Sequence, residues 1–507
     1  MKGSRPFLSL ARFAAAVMAT AAVHVSFADG IQDAVTNEPL PAKMQAFLAA
    51  CRDKFRQADA AIEKAGGRLA AYQQVPGFPY FRSDRVLASF ANQVDDPAVF
   101  NDWTLALRDN DSYSREIEML NLAVPEQQRV EQLQGLRLCA VWLSNFELDD
   151  PATLRRAAAA AQIPEERKPA VLSPSAVAAL DAETARRQSQ IRAEYERQAD
   201  AKSAATSLVL WQVNKTQPDD GAPSDFSKQP HDGMGRVGMT ADMWRALAEK
   251  FAPSWLIETA GADDAIGAPA WQGNTVVIDP QRPYVYFTPT YARVEGRTLI
   301  QIDYFLWFNE RRAFGSGDPD AGHLDGLIWR VTLDQDGKPL LYDSIRMSGF
   351  DQMWLVPSSF TLKKQAGSQD PLLIENIEPR QQPTVRLRSG THMLGRAEAA
   401  DGAAAAAKPY ELHSYDELLT LPDGAGRTRS LFDAGGIVPG TDRPANAIYK
   451  LSRIPRAGAL RQWGRHPTSL AARHYFDDPF LIDQLFLTGN VANVAALPPA
   501  SRMASAP

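Results

Sequence analysis

The sequence predicts an α+β protein, a helical N-terminal part followed by a mainly antiparallel, β-rich C-terminal part. Three observations carry that reading. Apolar residues recur at helical spacing between about residues 41 and 205. From Trp255 onward the chain breaks into short β-type runs separated by Gly, Pro and Asp. The densest of these, Thr298-Leu-Ile-Gln-Ile-Asp-Tyr-Phe-Leu-Trp-Phe308 and Gly326-Leu-Ile-Trp-Arg-Val-Thr-Leu333, precede a turn Asp334-Gln-Asp-Gly337 and a third run, Pro339–Ile345. Asp-Gly between two such runs is a strong hairpin signal. Leu327, Trp329, Val331 and Leu333 alternate with Ile328, Arg330 and Thr332, the two-residue period of a strand with one face more apolar than the other. A hairpin over 298–345 is therefore expected at the centre of the sheet.

Taken in order, the chain opens with the marks of a secretory signal. Lys2, Arg5 and Arg12 precede the short apolar run Phe13–Val25, and Ser26-Phe27-Ala28 offers small residues at a cleavage site. The apolar run is shorter than the roughly 20 residues a membrane span needs. Cleavage after Ala28 leaves 479 of the 507 residues, moves the formal charge from −6 to −9, and leaves no later segment apolar enough to span a bilayer. A periplasmic or secreted protein is expected. The acidic balance excludes a nucleic-acid footprint, which would be basic.

The segment 29–205 is expected to be a helical domain. Met44, Leu48, Cys51, Phe55 and Ile62 fall on one stripe, and Leu136, Cys139, Ala140 and Leu143 on another. Facing stripes would bring the two cysteines of the chain together, and an exported protein permits a Cys51–Cys139 disulfide. Asp96-Pro97 reads as an N-cap and first helical residue leading into Val99, Trp103 and Leu107. Val75-Pro-Gly-Phe-Pro-Tyr80 reads as a proline-set connection. Ser173-Pro174 opens a long polar helix to about Asp200, with Glu183 and Arg187 at the favourable i,i+4 order, expected to be a solvated spacer.

The segment 206–496 is expected to be the β-rich domain. It begins with a strand at Ser207–Val213, a Pro-, Asp- and Ser-rich linker over 214–230, and a helix capped by Thr240. Asp401–Lys408 is a low-complexity loop, and a disordered tail is expected over 497–507.

The standard catalytic signatures are absent: no Gly-x-Ser-x-Gly, His-Glu-x-x-His, Cys-x-x-Cys or P-loop. Gly233-Met-Gly-Arg-Val-Gly238 matches a dinucleotide fingerprint in letters only, since a loop and not a strand precedes it. Two polar clusters remain. Between the central strands lie Glu310, Arg311, Arg312, Asp318, Asp320, His323 and Asp325, of which Asp318, Asp320, His323 and Asp325 are candidate ligands of a divalent ion. Such a loop is equally an ordinary solvated turn. Near the C-terminus Arg461-Gln-Trp-Gly-Arg-His466 and Arg473-His-Tyr-Phe-Asp-Asp478 bring together arginine, aromatic and acid. Arg461, Arg465, His466 and Asp477 are candidate ligand-binding residues there, and His466 and His474 candidates for acid–base work. His231, His392 and His413 stand alone and read as structural or exposed.

Several stretches resemble an uncharacterised family of exported proteobacterial proteins: Val75–Tyr80, Glu258-Thr-Ala-Gly261, His323–Leu333, Tyr342-Asp-Ser-Ile345, Gly436-Ile-Val-Pro-Gly440 and Arg461–His466. The resemblance implies a shared fold and no particular reaction. It also carries a departure. After Asp-Ser-Ile the relatives read His-x-Cys-Gly-Cys-Tyr-His, a ligand set suited to a soft metal or a redox pair. Here the stretch is Arg346-Met-Ser-Gly-Phe-Asp-Gln352, keeping only Gly349. Missing motifs and replaced ligand positions favour a noncatalytic envelope protein that binds a small molecule or an envelope partner. The alternative is a periplasmic metal- or His/carboxylate-dependent hydrolase using Glu310, His323 and Asp325, or the His466/His474 region.

Overall fold

The computed structural model describes residues 42–163, 173–196, 207–218, 221–313, 318–363, 373–376, 383–399, 407–444, 447–470 and 474–488. The signal segment, most of the 401–408 loop, Arg473 and the tail lie outside the described residues.

The N-terminal part packs α1 (Ala42–Lys64), α2 (Arg85–Ala88), α3 (Pro97–Leu120), α4 (Glu126–Glu147) and α5 (Pro151–Ala160) around one apolar core. Its stripes fall where the spacing places them: Leu48, Cys51, Phe55 and Ile62 are buried on α1, and Leu136, Cys139, Ala140 and Leu143 on α4. Asp96 caps α3 by accepting from the Ala98 amide at 2.8 Å, with Pro97 in the first turn. Because the two stripes face each other, Cys51 and Cys139 join in a disulfide, their Cα atoms 5.3 Å apart. The proline-set connection is more ordered than expected. It forms the turn of a hairpin between β1 (Gln73–Val75) and β2 (Phe78–Ser83), with Gly77 in the left-handed region that lets the chain reverse.

The C-terminal part contains β3 (Ser207–Val213), β4 (Ser254–Thr259), β5 (Ala268–Gln272), β6 (Thr275–Asp279), β7 (Tyr284–Val294), β8 (Arg297–Arg311), β9 (Gly322–Leu333), β10 (Pro339–Arg346) and β11 (Met353–Val356). It continues with β12 (Thr361–Leu362), β13 (Leu373–Asn376), β14 (Pro383–Leu387), β15 (Leu394–Ala399) and β16 (Lys408–Ser414). Eleven of these make one sheet in the order β13-β11-β10-β9-β8-β7-β16-β3-β4-β14-β15. Its run from β7 to β11 is antiparallel throughout. The Asp334–Gly337 turn closes the β9–β10 hairpin: Gly337 has φ +71, and Asp334 exchanges backbone bonds with Lys338 and Gly337.

Both faces of the central strands β8 to β11 are buried. On one face Leu306, Trp329, Val331 and Tyr342 pack with α7 (Ala241–Phe251), and the Tyr304 hydroxyl donates to the Ala248 carbonyl at 2.7 Å. On the other, Phe305, Trp307, Ile328 and Ile345 are covered by Leu69 and Ile117 of the helical part and by irregular chain bearing Tyr415, Trp463 and Phe476. Strand alternation also places Asp303, Arg330 and Asp343 on that second face.

Two connecting segments behave differently from their composition. The helix α6 (Pro174–Glu196) is no solvated spacer. Ala176, Leu180, Thr184, Arg187, Ile191 and Tyr195 form a buried stripe at spacings of four, four, three, four and four, and it packs on β13, β15 and α8 (Ala447–Ser452). Glu183 pairs with Arg186 and not with Arg187, which leaves Arg187 free to turn inward. The 214–230 stretch is likewise tied down, because the amides of Thr216 and Gln217 both donate to Glu249 and Phe226 is buried.

Candidate functional site

The 346–352 turn between β10 and β11 is the point on which the chemistry-bearing residues gather. Gly349, Phe350 and Asp351 take three consecutive left-handed conformations, with φ of +80, +67 and +55. Two of these carry side chains, and such conformations persist only where the surroundings impose them. Here Gly349 donates back to the Arg346 carbonyl, Phe350 donates to the Pro467 carbonyl at 2.7 Å, and Arg461 donates to the Met347 carbonyl at 2.8 Å. A Cβ on Gly349 would come within 2.8 Å of Pro467. The Arg461–His466 stretch is therefore packed directly on the turn. Arg346, Ser348, Phe350 and Gln352 are all buried.

On one side of the turn lies a charged ladder across three strands. Arg330 of β9 stands in register with Asp303 of β8 and Asp343 of β10. Its guanidinium grips Asp343 with two bonds of 2.9 and 2.7 Å, donates to the Phe476 carbonyl, and lies 3.7 Å over the Phe476 ring. Gln352 adds a 2.7 Å bond to Asp343. Asp303 receives less: the Trp463 indole donates to one oxygen at 2.8 Å, while the other is 4.0 Å from Arg330 and has no hydrogen-bond partner. Burial pushes the Asp303 carboxyl up to about 7, with nearby Asp343 and Asp477 adding to the rise and Arg330 and Trp463 opposing it.

On the other side Arg187, Arg346, Asp320 and Asp351 form a buried quartet. Arg187 reaches Asp351 at 2.5 and 2.9 Å and Asp320 at 3.0 Å, and Arg346 reaches Asp320 at 2.5 Å. The Tyr449 hydroxyl also donates to Asp320. Burial alone would raise the Asp320 carboxyl; Arg187 and Arg346 instead hold it well below the usual range. Asp325 lies nearby in a separate triad. His392 places Nδ1 2.9 Å from Asp325 and Nε2 3.4 Å from Asp264, and stacks on Phe308 at 3.8 Å.

These positions decide the fate of the sequence candidates. Asp318 pairs with Arg311 at 3.6 Å, Asp320 with arginines, Asp325 with His392, and His323 sets Nε2 2.8 Å from the Val276 carbonyl. They do not form the divalent-ion site expected of them: among the described residues no group of three or more His, Cys, Asp or Glu is placed to hold a metal ion. The physical reason is that neighbouring arginine and histidine satisfy the carboxylates first. Glu310 is exposed, opposite His323 in the strand register. His466 is buried and held neutral, its pKa lowered to about 3 by burial and by Arg461. His474 contributes its carbonyl to Thr468, not its ring. Arg461 donates to the Pro455 carbonyl, Arg465 to the Ala70 carbonyl, and Asp477 is clamped by Arg85 at 2.8 and 2.9 Å. In the second cluster Arg461, His466 and Asp477 are buried, while Arg465 and His474 are half-buried.

Sequence reasoning missed Asp303, Asp343, Arg187, Asp264 and the partners of His392. Asp303 had a signal, a lone acid in the middle of the mostly apolar run 298–308. For Arg187 the signal was the buried stripe itself.

His392 gives a direct prediction. Its two carboxylates outweigh burial and raise its pKa above the ordinary 6.5, so its stabilising contribution is present at low pH and is lost as pH rises through that raised value. Following the imidazole by NMR should show His392 titrating above 6.5, and Asp264→Asn should lower that value. Titration at or below 6.5 in the wild type would contradict the triad.

No family model matches this chain, and no curated protein matches it. One solved structure aligns with it, described as "Toxin fold for microbial attack and plant defense", at 14% identity over 38% of this chain and 82% of that one. The TM-score of 0.21 is too low to carry an argument about fold or activity.

Proposed function

We propose that this chain is an exported envelope protein, kin to the proteobacterial family its sequence resembles, that binds an apolar partner surface and does not catalyse a reaction. One observation carries the reading, the outer face of the disulfide-tied helices. Leu138, Val141 and Trp142 on α4 are 55%, 38% and 37% exposed, Val130 lies two turns earlier, and Phe47 of α1 is 38% exposed. Phe47 meets Trp142 edge-on at 5.9 Å, and Trp142 stacks on Phe146 at 5.7 Å. Val130, Gln134, Leu138, Val141, Trp142 and Asn145 run along one face of α4, on which the exposed Glu131 near the start of the helix is the charged residue. A patch rich in aromatic rings and poor in charge has the composition of a protein interface core.

The bordering charges favour a protein over an anionic membrane. Arg52 is paired with Glu147 and Arg137 with Glu116, so these bases are already answered by acids. An anionic lipid surface is met by a polar face rich in Lys and Arg. The disulfide and the lack, among the described residues, of any helix long and apolar enough to cross a membrane are compatible with export.

The hydrolase alternative fits less well. Asp325 is committed to His392, and His466 is neutral and enclosed. The test compares the mature chain with Trp142→Glu in capture from envelope extracts, then measures each retained protein against both forms by calorimetry. A partner that binds the wild type and binds Trp142→Glu at least tenfold more weakly is expected. Trp142 is partly exposed but packs on Phe47 and Phe146, so the variant should lose about 1 kcal/mol and stay folded, which circular dichroism checks before binding is compared. Equal binding by the two forms would sink the assignment. N-terminal sequencing of envelope-purified protein checks export, with Asp29 expected as the first residue.

A further inference from the structure

The stretch 461–467 is an irregular strap laid over the charged face of the sheet, and it touches both halves of the molecule. Toward the sheet, Arg461 binds Met347, Pro467 binds Phe350, the Trp463 amide donates to the Tyr415 hydroxyl at 2.9 Å, and the Trp463 indole donates to Asp303. Toward the helical part, the Gly464 carbonyl accepts from Arg85 at 3.0 Å and Arg465 donates to the Ala70 carbonyl at 3.0 Å. Trp463 is the piece of this strap that covers Asp303.

The charges beneath it do not balance when Asp303 is ionised. Arg330 is the cation facing Asp303, and it is already committed to Asp343 by two bonds. Asp477 adds a further acid but is answered by Arg85. Tyr415, from the segment packed above, and Tyr304, on the same strand, are neutral phenols held so by burial. With Asp303 neutral, Arg330 against Asp343 and Arg85 against Asp477 leave no net charge. With Asp303 ionised, one buried negative charge remains and one of its oxygens has no donor. A charge in that position needs water, and the strap is what excludes water.

We propose that Asp303 and the 461–467 strap form a proton-operated clasp: a neutral Asp303 keeps the strap seated between sheet and helices, and ionisation loosens it. The Trp463 bond works against loosening, since an indole donor favours the ionised acid, but the enclosure of Asp303 outweighs it. The sign follows from linkage. The acid is raised from an ordinary 3.8 to about 7 in the closed form, so opening releases a proton between those values. Opening therefore grows as pH rises through this window and levels off above about 7, at roughly tenfold per pH unit.

Hydrogen exchange of peptides covering 461–467 in the full mature chain, expressed as protection factors from pH 5 to 8.5, tests the clasp. Protection in the wild type should fall roughly tenfold per unit up to about pH 7 and then flatten. Asp303→Asn, which mimics the neutral acid, should remove that dependence. A flat wild-type profile, or an Asp303→Asn profile that follows the wild type, overturns the proposal. Should that variant fail to fold, Trp463→Phe gives a second reading. Losing the indole donor raises the acid further, so the plateau must move to higher pH, and an unmoved plateau is equally fatal.

Discussion

Arg330→Ala should cost about 3–5 kcal/mol at neutral pH, the range for removing one partner of a buried ion pair. Arg330 is 1% exposed and Asp343 fully buried, so neither can turn to solvent when the other is lost. What remains is Asp343 with a single neutral donor, Gln352, beside the already under-served Asp303. The loss should therefore depend on pH. With the cation gone both acids are pushed toward their neutral forms, so the variant recovers part of its stability as pH falls toward 5 and the carboxyls protonate. Urea unfolding followed by circular dichroism at pH 5 and 7.5 measures both terms. A loss under about 1 kcal/mol, or one that is the same at both values, would mean the ladder is not the anchor described. Replacing all three charged residues together by Asn, Met and Asn should recover much of the loss, because no unpaired charge is then left inside.

How much of this was legible beforehand divides by range. The helical stripes, the Asp96 and Thr240 caps and the Asp334–Gly337 turn are local patterns, and each stands where its spacing puts it. The disulfide needed only two stripes to face one another. The ladder needed more. Asp303 and Arg330 are 27 residues apart, and only the register of β8 on β9 sets them opposite each other. A one-residue slip would send Asp303 to the other face.

Arg187 shows the same limit in a helix. Charge spacing offered it Glu183 as an i,i+4 partner, a surface pair worth a few tenths of a kcal/mol. Tertiary structure offered it two enclosed carboxylates 133 and 164 residues away, and the larger interaction decided its direction. The loop acids Asp318, Asp320 and Asp325 had the composition of a cation site. Asp318 pairs with the nearby Arg311, while Asp320 and Asp325 became arginine and histidine partners because Arg187, Arg346 and His392 come from distant segments that no local pattern joins to that loop.

Removing the disulfide should have the other large effect. Cys51 and Cys139 are 88 residues apart, and a cross-link of that span restrains the unfolded chain by about 4–5 kcal/mol on the loop-entropy account. The folded state should change little in Cys51→Ala/Cys139→Ala. Both positions are nearly fully buried, and Leu48, Phe55, Leu136 and Leu143 keep α1 and α4 in contact around them. Most of the change is then expected in the unfolded ensemble, which expands when the loop is opened and exposes more surface. Urea unfolding should accordingly show a lower midpoint together with a steeper slope in the variant. A lower midpoint at unchanged slope would place the loss in the folded packing of α1 on α4. A shift worth less than about 1 kcal/mol would mean that helix packing alone holds the bundle. Since the exposed Phe47 and Trp142 ride on these two helices, the same variant should also weaken partner capture wherever the helices have shifted. Retained binding at reduced stability would assign the cross-link to endurance of the fold and not to the shape of its outer face.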